Sequence, residues 1–284
     1  MNTLRSLFKP RKTLLTALLA AALLAGCGGG GGGGGGSVAV VSDGTGAGAG
    51  VGPAGASPTL GVAGTYGVFA SNAAISLAVD ALVVGDVGLN PAGACGNCTT
   101  GLGGTVTGVI ENGTAAAIAA QAAFEAAYTD ASTRSTNACV LADASELANA
   151  QGACVGLNPG TPGPVYGPGL YRSADPIQFS GTITLNAGGN ADAVFVFQTD
   201  SAITTQPNST VVLANGAQAK NVWWVAGAAA TLGLSSTFKG SVISTAAVSA
   251  GIGSTIGAPT AIAGRLFSRG AAVTVGSFTT VTVP

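Results

Sequence analysis

The segment Val248-Ser249-Ala250-Gly251-Ile252-Gly253-Ser254-Thr255-Ile256 decides how this chain is read, because three other segments superimpose on it by eye. They are Ile203-Thr204-Thr205-Gln206-Pro207-Asn208-Ser209-Thr210-Val211, Ala230-Thr231-Leu232-Gly233-Leu234-Ser235-Ser236-Thr237-Phe238 and Val273-Thr274-Val275-Gly276-Ser277-Phe278-Thr279-Thr280-Val281. A weaker copy runs from Ile177-Gln178 to Ile183-Thr184-Leu185. The copies recur every about 18 to 27 residues, the range of solenoids, in which each repeat buries its apolar side only by stacking on its neighbours.

Two kinds of column follow from the alignment. Leu185, Val211, Phe238, Ile256 and Val281 share one position, and Thr184, Thr210, Thr237, Thr255 and Thr280 share the position before it. Successive residues of a strand point to opposite faces, so the apolar column is expected inside and the threonine column outside. A second outward column is Gln178, Thr204, Thr231, Ser249 and Thr274. Strands stacked roughly 4.7–4.9 Å apart, with like positions along a strand roughly 6.6 Å apart, would make these columns one flat grid of hydroxyls and methyls.

Composition points the same way. Of 284 residues 47 are Gly, only 7% are charged and 5% aromatic. That profile, rich in Ala, Val, Thr and Ser, suits tightly wound β structure with small residues at its corners rather than a helical bundle. A net charge of −1 leaves no basic stripe for nucleic acid. Histidine is absent, which removes Ser-His-Asp and Cys-His catalysis, the common zinc sites and most general-base chemistry at neutral pH. Asp175, Asp192, Asp200, Arg172, Lys220, Lys239, Arg265 and Arg269 are scattered rather than paired, so no catalytic residue, metal ligand or cofactor site is expected.

Residues 1–27 have the build of an export signal. Arg5, Lys9, Arg11 and Lys12 precede an apolar stretch from Leu14 to Leu24 that is too short to span a bilayer. Leu24-Ala25-Gly26-Cys27 resembles the lipobox of bacterial lipoproteins, which implies cleavage before Cys27, acylation of that cysteine and an N-terminal lipid anchor. Gly28 follows without an Asp-type retention signal, which favours the outer membrane, or an extracellular location, over the inner membrane. An uninterrupted glycine run, Gly28 to Gly36, opens a Gly/Ala/Ser-rich stretch to about Gly64, expected to be a tether because glycine loses most backbone entropy on ordering.

The folded domain is expected over residues 65–284. Tyr66–Ala70, Ala81–Gly88 and Thr105–Val109 have strand character. From Thr114 to about Arg134 the period becomes helical, with Thr114 as N-cap and Ala117, Ala120, Phe124, Tyr128 and Ala131 on one face. A short helix or turn is expected at Leu141–Ala150 before strands resume at Gly169. Trp223 and Trp224 adjoin in a strand, so one is expected in the core and one outside; Asp80 and Asp86 are expected in turns. Beyond Cys27, the four cysteines Cys95, Cys98, Cys139 and Cys154 allow three pairings in an oxidising compartment, of which Cys95–Cys98 with Cys139–Cys154 is the expected one.

This order of strands, one long helix and then coils carrying Pro168-Gly169-Leu170-Tyr171, Ala193–Gln198, Gly216–Val225, Phe238–Ile243 and Ala263–Ser268 resembles the microbial ice-binding protein family. The resemblance covers Thr65 to Pro284. It implies an irregular triangular β-solenoid, mainly β, with the helix alongside, and antifreeze or recrystallisation-inhibiting activity on a flat face, exerted as a monomer without catalysis. Threonine suits such a face: its hydroxyl bonds lattice water, its methyl orders water, and a rigid array makes many weak contacts with little ordering cost. The competing expectation is a structural or adhesive surface module that uses the same scaffold on polysaccharide or other cells. A solenoid lyase or hydrolase would need converging carboxylates that the sequence does not offer.

Overall fold

The computed structural model describes residues 54–98, 103–136, 138–141, 147, 163–251 and 261–284. Short strands follow one another in coils of three sides, and every pairing among the described residues is parallel. One coil shows the plan. Val222–Ala226 forms the first face, Ala230–Leu232 the second, and the start of Thr237–Ser244 the third. The second face is a separate seven-stranded sheet; the first and third belong to one fifteen-stranded sheet, because Thr237–Ser244 and Ala261–Ser268 pass unbroken from third face to first. Gly240 and Gly264 make that bend. A Cβ on Gly264 would lie 1.7 Å from the Gly240 carbonyl oxygen, and Gly240 has φ +111°, so the corner closes only on glycine.

Chain order and stacking order differ. The N-terminal strands lie beyond the C-terminal coil: Tyr66–Ser71 pairs with Ala261–Ser268, Ile75–Leu77 with Val273–Val275, and Leu82–Val84 with Thr280–Thr282. The helix Ala115–Thr133 then carries the chain back along the stack to Cys139–Val140, at the opposite end of the first face. At 19 residues it is about 28 Å long, roughly six strand spacings. Thr114 caps it by accepting from the Ala117 N–H at 3.2 Å, and Ala117, Ala120, Phe124, Ala127 and Ala131 are buried. Tyr128 is only partly buried and lies under the Arg269 guanidinium, 3.9 Å from the ring centroid.

Two apolar layers result. Inside the coils, Tyr171, Phe197 and Trp224 stack at 4.8 and 4.3 Å on consecutive strands. Outside the first face, Leu170, Val196, Trp223, Val225, Ile243, Phe267 and Phe69 pack under the helix. Both tryptophans are therefore buried, contrary to the expectation of one exposed: Trp223 points outward but is covered, and its Nε1–H donates to Ser57 Oγ at 3.0 Å. Ser57 belongs to a stretch expected to be tether. Ala54, Leu60 and Ala63 join the outer layer, and Gly61–Thr65 forms a 3-10 turn, so the packed part reaches back at least to Ala54. The region expected as one strand over Ala81–Gly88 breaks into Leu82–Val84 and Asp86–Asn90 at Gly85, φ +142°. Asp80 sits in a turn, and the Asp86 carboxylate accepts from the Val109 N–H at 2.8 Å.

Cys95 and Cys98 are bonded to each other, and Cys139 is also disulfide-bonded, to a partner outside the described residues. Cys154, Cys27 and most of the segment Leu141–Ala150 lie outside the described residues.

Candidate functional site

The second outward column stands in register over the whole second face. Gln178 pairs with Thr204, Thr204 with Thr231, Thr231 with Ser249, Ser249 with Thr274, and Thr274 with Ser76, which pairs with Gly96. Six of the seven strands are three residues long and the last, Cys95–Gly96, has two; Ile203, Ala230, Val248, Val273 and Ile75 are buried, while the next residue in each faces out. Seven strands at about 4.8 Å make a column roughly 29 Å long.

A second rank of small residues flanks it, one the hydroxyl columns alone do not reveal. Ala202, Ala229, Ala247, Ala272 and Ala74 each precede the buried residue of a rung, and Ala94 precedes the half-buried Cys95. Their carbonyls accept the ladder bonds from Ile177, Ile203, Ala230, Val248, Val273 and Ile75 at 2.9–3.1 Å. On the other flank stand Gly233, Gly251, Gly276 and Ala78, with Gln206 as the one large exception. The repeated signal is alanine, apolar residue, then threonine or serine: Ala202-Ile203-Thr204, Ala229-Ala230-Thr231, Ala247-Val248-Ser249, Ala272-Val273-Thr274, Ala74-Ile75-Ser76. None of these outward positions carries a charge.

The first threonine column is placed differently, and two of its members change. Thr210 pairs with Thr237, Thr237 with Ala261, Ala261 with Thr280, and Thr280 with Leu82, all on the third face. At the head of the column stands Thr182, not Thr184: Thr182 pairs with Thr210, and Thr184 pairs with Val212 and is buried. The cause is a turn of two residues, 180–181, where the next coil uses four, 206–209. A shift of two keeps a side chain on its face and moves it one pleat along. Ala261 likewise holds the place expected for Thr255, because the connection there, 251–260, is longer; Thr255 lies outside the described residues.

The two columns therefore do not form one grid. A turn separates them, and in the four described coils where it has four residues its third residue lies in the left-handed region: Asn208, Ser235, Phe278 and Asp80 have φ of 62°, 53°, 58° and 63°. The residue after each, Ser209, Ser236, Thr279 and Ala81, is buried at the corner. Among the described residues no three His, Cys, Asp or Glu side chains come together to hold a metal.

The sequence profile described as ice-binding-like matches residues 69–281. The chain belongs to that family. It is 35% identical over 108 residues to an ice-binding protein of Nostoc sp. (strain HG1), covering 38% of each chain. It is 30% identical over 200 residues to ice-binding protein K1-A of Typhula ishikariensis, covering 66% of this chain and 78% of that one. A crystal structure of an ice-binding protein from an Antarctic biological consortium superposes with a TM-score of 0.68 at 27% identity, over 81% of this chain and 93% of the other. That structure shares the β-solenoid architecture of this chain. The match spans only 38% of the Nostoc protein's length, and 11% of that of ice-binding protein 1 of Shewanella frigidimarina.

Proposed function

We propose that this chain binds ice through the second face of its solenoid, as a monomer and without catalysis. The observation that carries the reading is the unbroken register of Thr204, Thr231, Ser249, Thr274 and Ser76 beside an alanine rank, free of charge and of bulk over its central rungs. Parallel strands repeat at a spacing close to that of oxygen rows in ice, so each hydroxyl meets a similar lattice site. The methyls of the alanines and threonines favour ordered water over bulk water at the contact. Because the scaffold holds these groups before contact, adsorption costs little conformational entropy, and weak interactions sum over the face.

The test is thermal hysteresis, crystal shaping and recrystallisation inhibition by the purified chain. Faceted crystals at low concentration are expected; round crystals at high concentration would refute the assignment. The N-terminal features support an exported lipoprotein of the cell envelope, acylated at Cys27 and displayed at the outer membrane. Mass measurement of the mature N-terminus checks this: a diacylglyceryl-cysteine is expected, and a chain still carrying residues 1–26 would exclude it.

A further inference from the structure

The described chain begins on the first face, on a particular side of it. Two outward columns run along that face. Arg172, Gln198, Val225, Ile243, Phe267 and Phe69 form the one nearer the second face, and Leu170, Val196, Trp223, Ser241 and Arg265 the one nearer the third. The segment Ala54–Gly64 is bonded to this latter column. Ser57 takes the Trp223 indole N–H, and Gly64 accepts from Arg265 Nε and Nη2 at 3.2 and 2.6 Å. Arg134, at the helix C-cap, donates to the carbonyls of Ala54 and Ala56 and so clamps the start of the segment. Burial of the Arg265 guanidinium, whose partners are the Gly64 carbonyl and the Ser241 hydroxyl, pushes its pKa down to about 10. A charge held at that cost ties the segment to one place.

That column adjoins the corner at Gly240 and Gly264, where the third face turns into the first. In a three-sided section this corner lies opposite the second face. Val283 lies at the same corner, against Gly67 and Gly85.

Resting on the ice-binding assignment, we infer that the domain is two-sided. The corner carrying Ala54–Gly64 is a mounting edge, through which the N-terminal segment joins the domain to a supporting surface. The alanine and threonine ranks on the opposite side are presented outward to ice. A mounted molecule then adsorbs as a free one does and links its support to the crystal. A chain that joined its support across the second face would inhibit growth only after release.

Full-length Thr59→Cys and Gln206→Cys variants, each biotinylated at the new thiol and loaded with streptavidin, test this. Both positions are exposed, one on the segment and one beside the second face. Streptavidin at residue 59 should leave crystal shaping unchanged, and beads coated through residue 59 should attach to a growing crystal. The same load at residue 206 should abolish shaping. Loss of shaping on loading residue 59, with the unloaded variant active, overturns the two-sided arrangement alone. Round crystals from both unloaded variants and from the unmodified chain overturn the ice-binding assignment and the arrangement with it.

Discussion

The second and third faces are built from the same coils and the third carries more threonines, yet only the second offers a level surface. On the second face the neighbours of the hydroxyl column are alanine on one side and mostly glycine on the other. On the third, the positions two residues beyond Thr210, Thr237, Thr280 and Leu82 are Val212, Lys239, Thr282 and Val84, and the column itself is interrupted by Ala261 and Leu82. Side chains as unequal as lysine, valine and threonine hold a flat solid away from the shorter ones. Threonine count is thus a poor guide to an adsorbing face. Uniform height around each threonine is the better one, and it follows from strands so short that only one outward residue fits between two turns.

The sharpest way to break this contrast is to place one large residue on each face. Thr231→Tyr, at the centre of the second face, should remove thermal hysteresis and faceting. Thr237→Tyr, on the third, should leave both intact. Each site is partly or fully exposed, so stability should move by no more than about 0.5 kcal/mol by thermal melting. Loss of activity from Thr237→Tyr with Thr231→Tyr still active would exchange the roles of the two faces.

How far the sequence alone discloses this depends on what each position obeys. The column from Gln178 to Thr274 is legible in full, because buried and exposed residues alternate over three positions and tolerate no slip. Thr184 is misplaced because columns are read by spacing, and the described corner turns vary from two residues to four while strand parity hides a shift of two; Thr255 lies outside the described residues. The division of the threonines between two faces is harder still. It depends on left-handed residues at the corners, and only Asn208 and Asp80 advertise that conformation, whereas Ser235 and Phe278 do not. Stacking of Ile75 on Val273 has no local signature, being a contact between distant parts of the chain. The alanine rank is written plainly in the repeated alanine, apolar, threonine triplet, but small residues attract no chemical attention on their own.

The ends of the two faces give a smaller effect. Cys95 and Gly96 form the last rung of the second face, paired on one side only, with the Cys95–Cys98 bridge behind it. Cys139 belongs to the strand at the opposite end of the first face. Replacing Cys95 and Cys98 with serine should cost about 2 kcal/mol, as loop entropy gives for so short a bridge. Hysteresis should fall partially, since one rung of seven loosens. Amide exchange should speed up at Gly96 and Ser76 but not at Thr231, and uniform acceleration would mean that the rung does not move independently.

A gain is expected at the other end. Gln178 fills the first position of the hydroxyl column with a side chain longer than any other member's. Gln178→Thr should lengthen the level array by one rung and raise hysteresis modestly, and an unchanged value would show that the central rungs alone make the contact.

The smallest expected effect is of pH, and its absence is informative. Between about pH 5 and 9 carboxylates stay charged and lysines stay protonated, and the chain has no histidine to titrate between them. The second face carries no ionisable side chain among its outward columns, whereas the third carries Lys239. Activity should therefore be flat from pH 5 to 9, and also at high ionic strength, because no charge at the contact is available to screen. A loss of hysteresis at high ionic strength, in protein whose melting temperature is unchanged, would put Lys239 at the contact. It would also move the adsorbing surface to the third face, even though the register of the second face is the more regular.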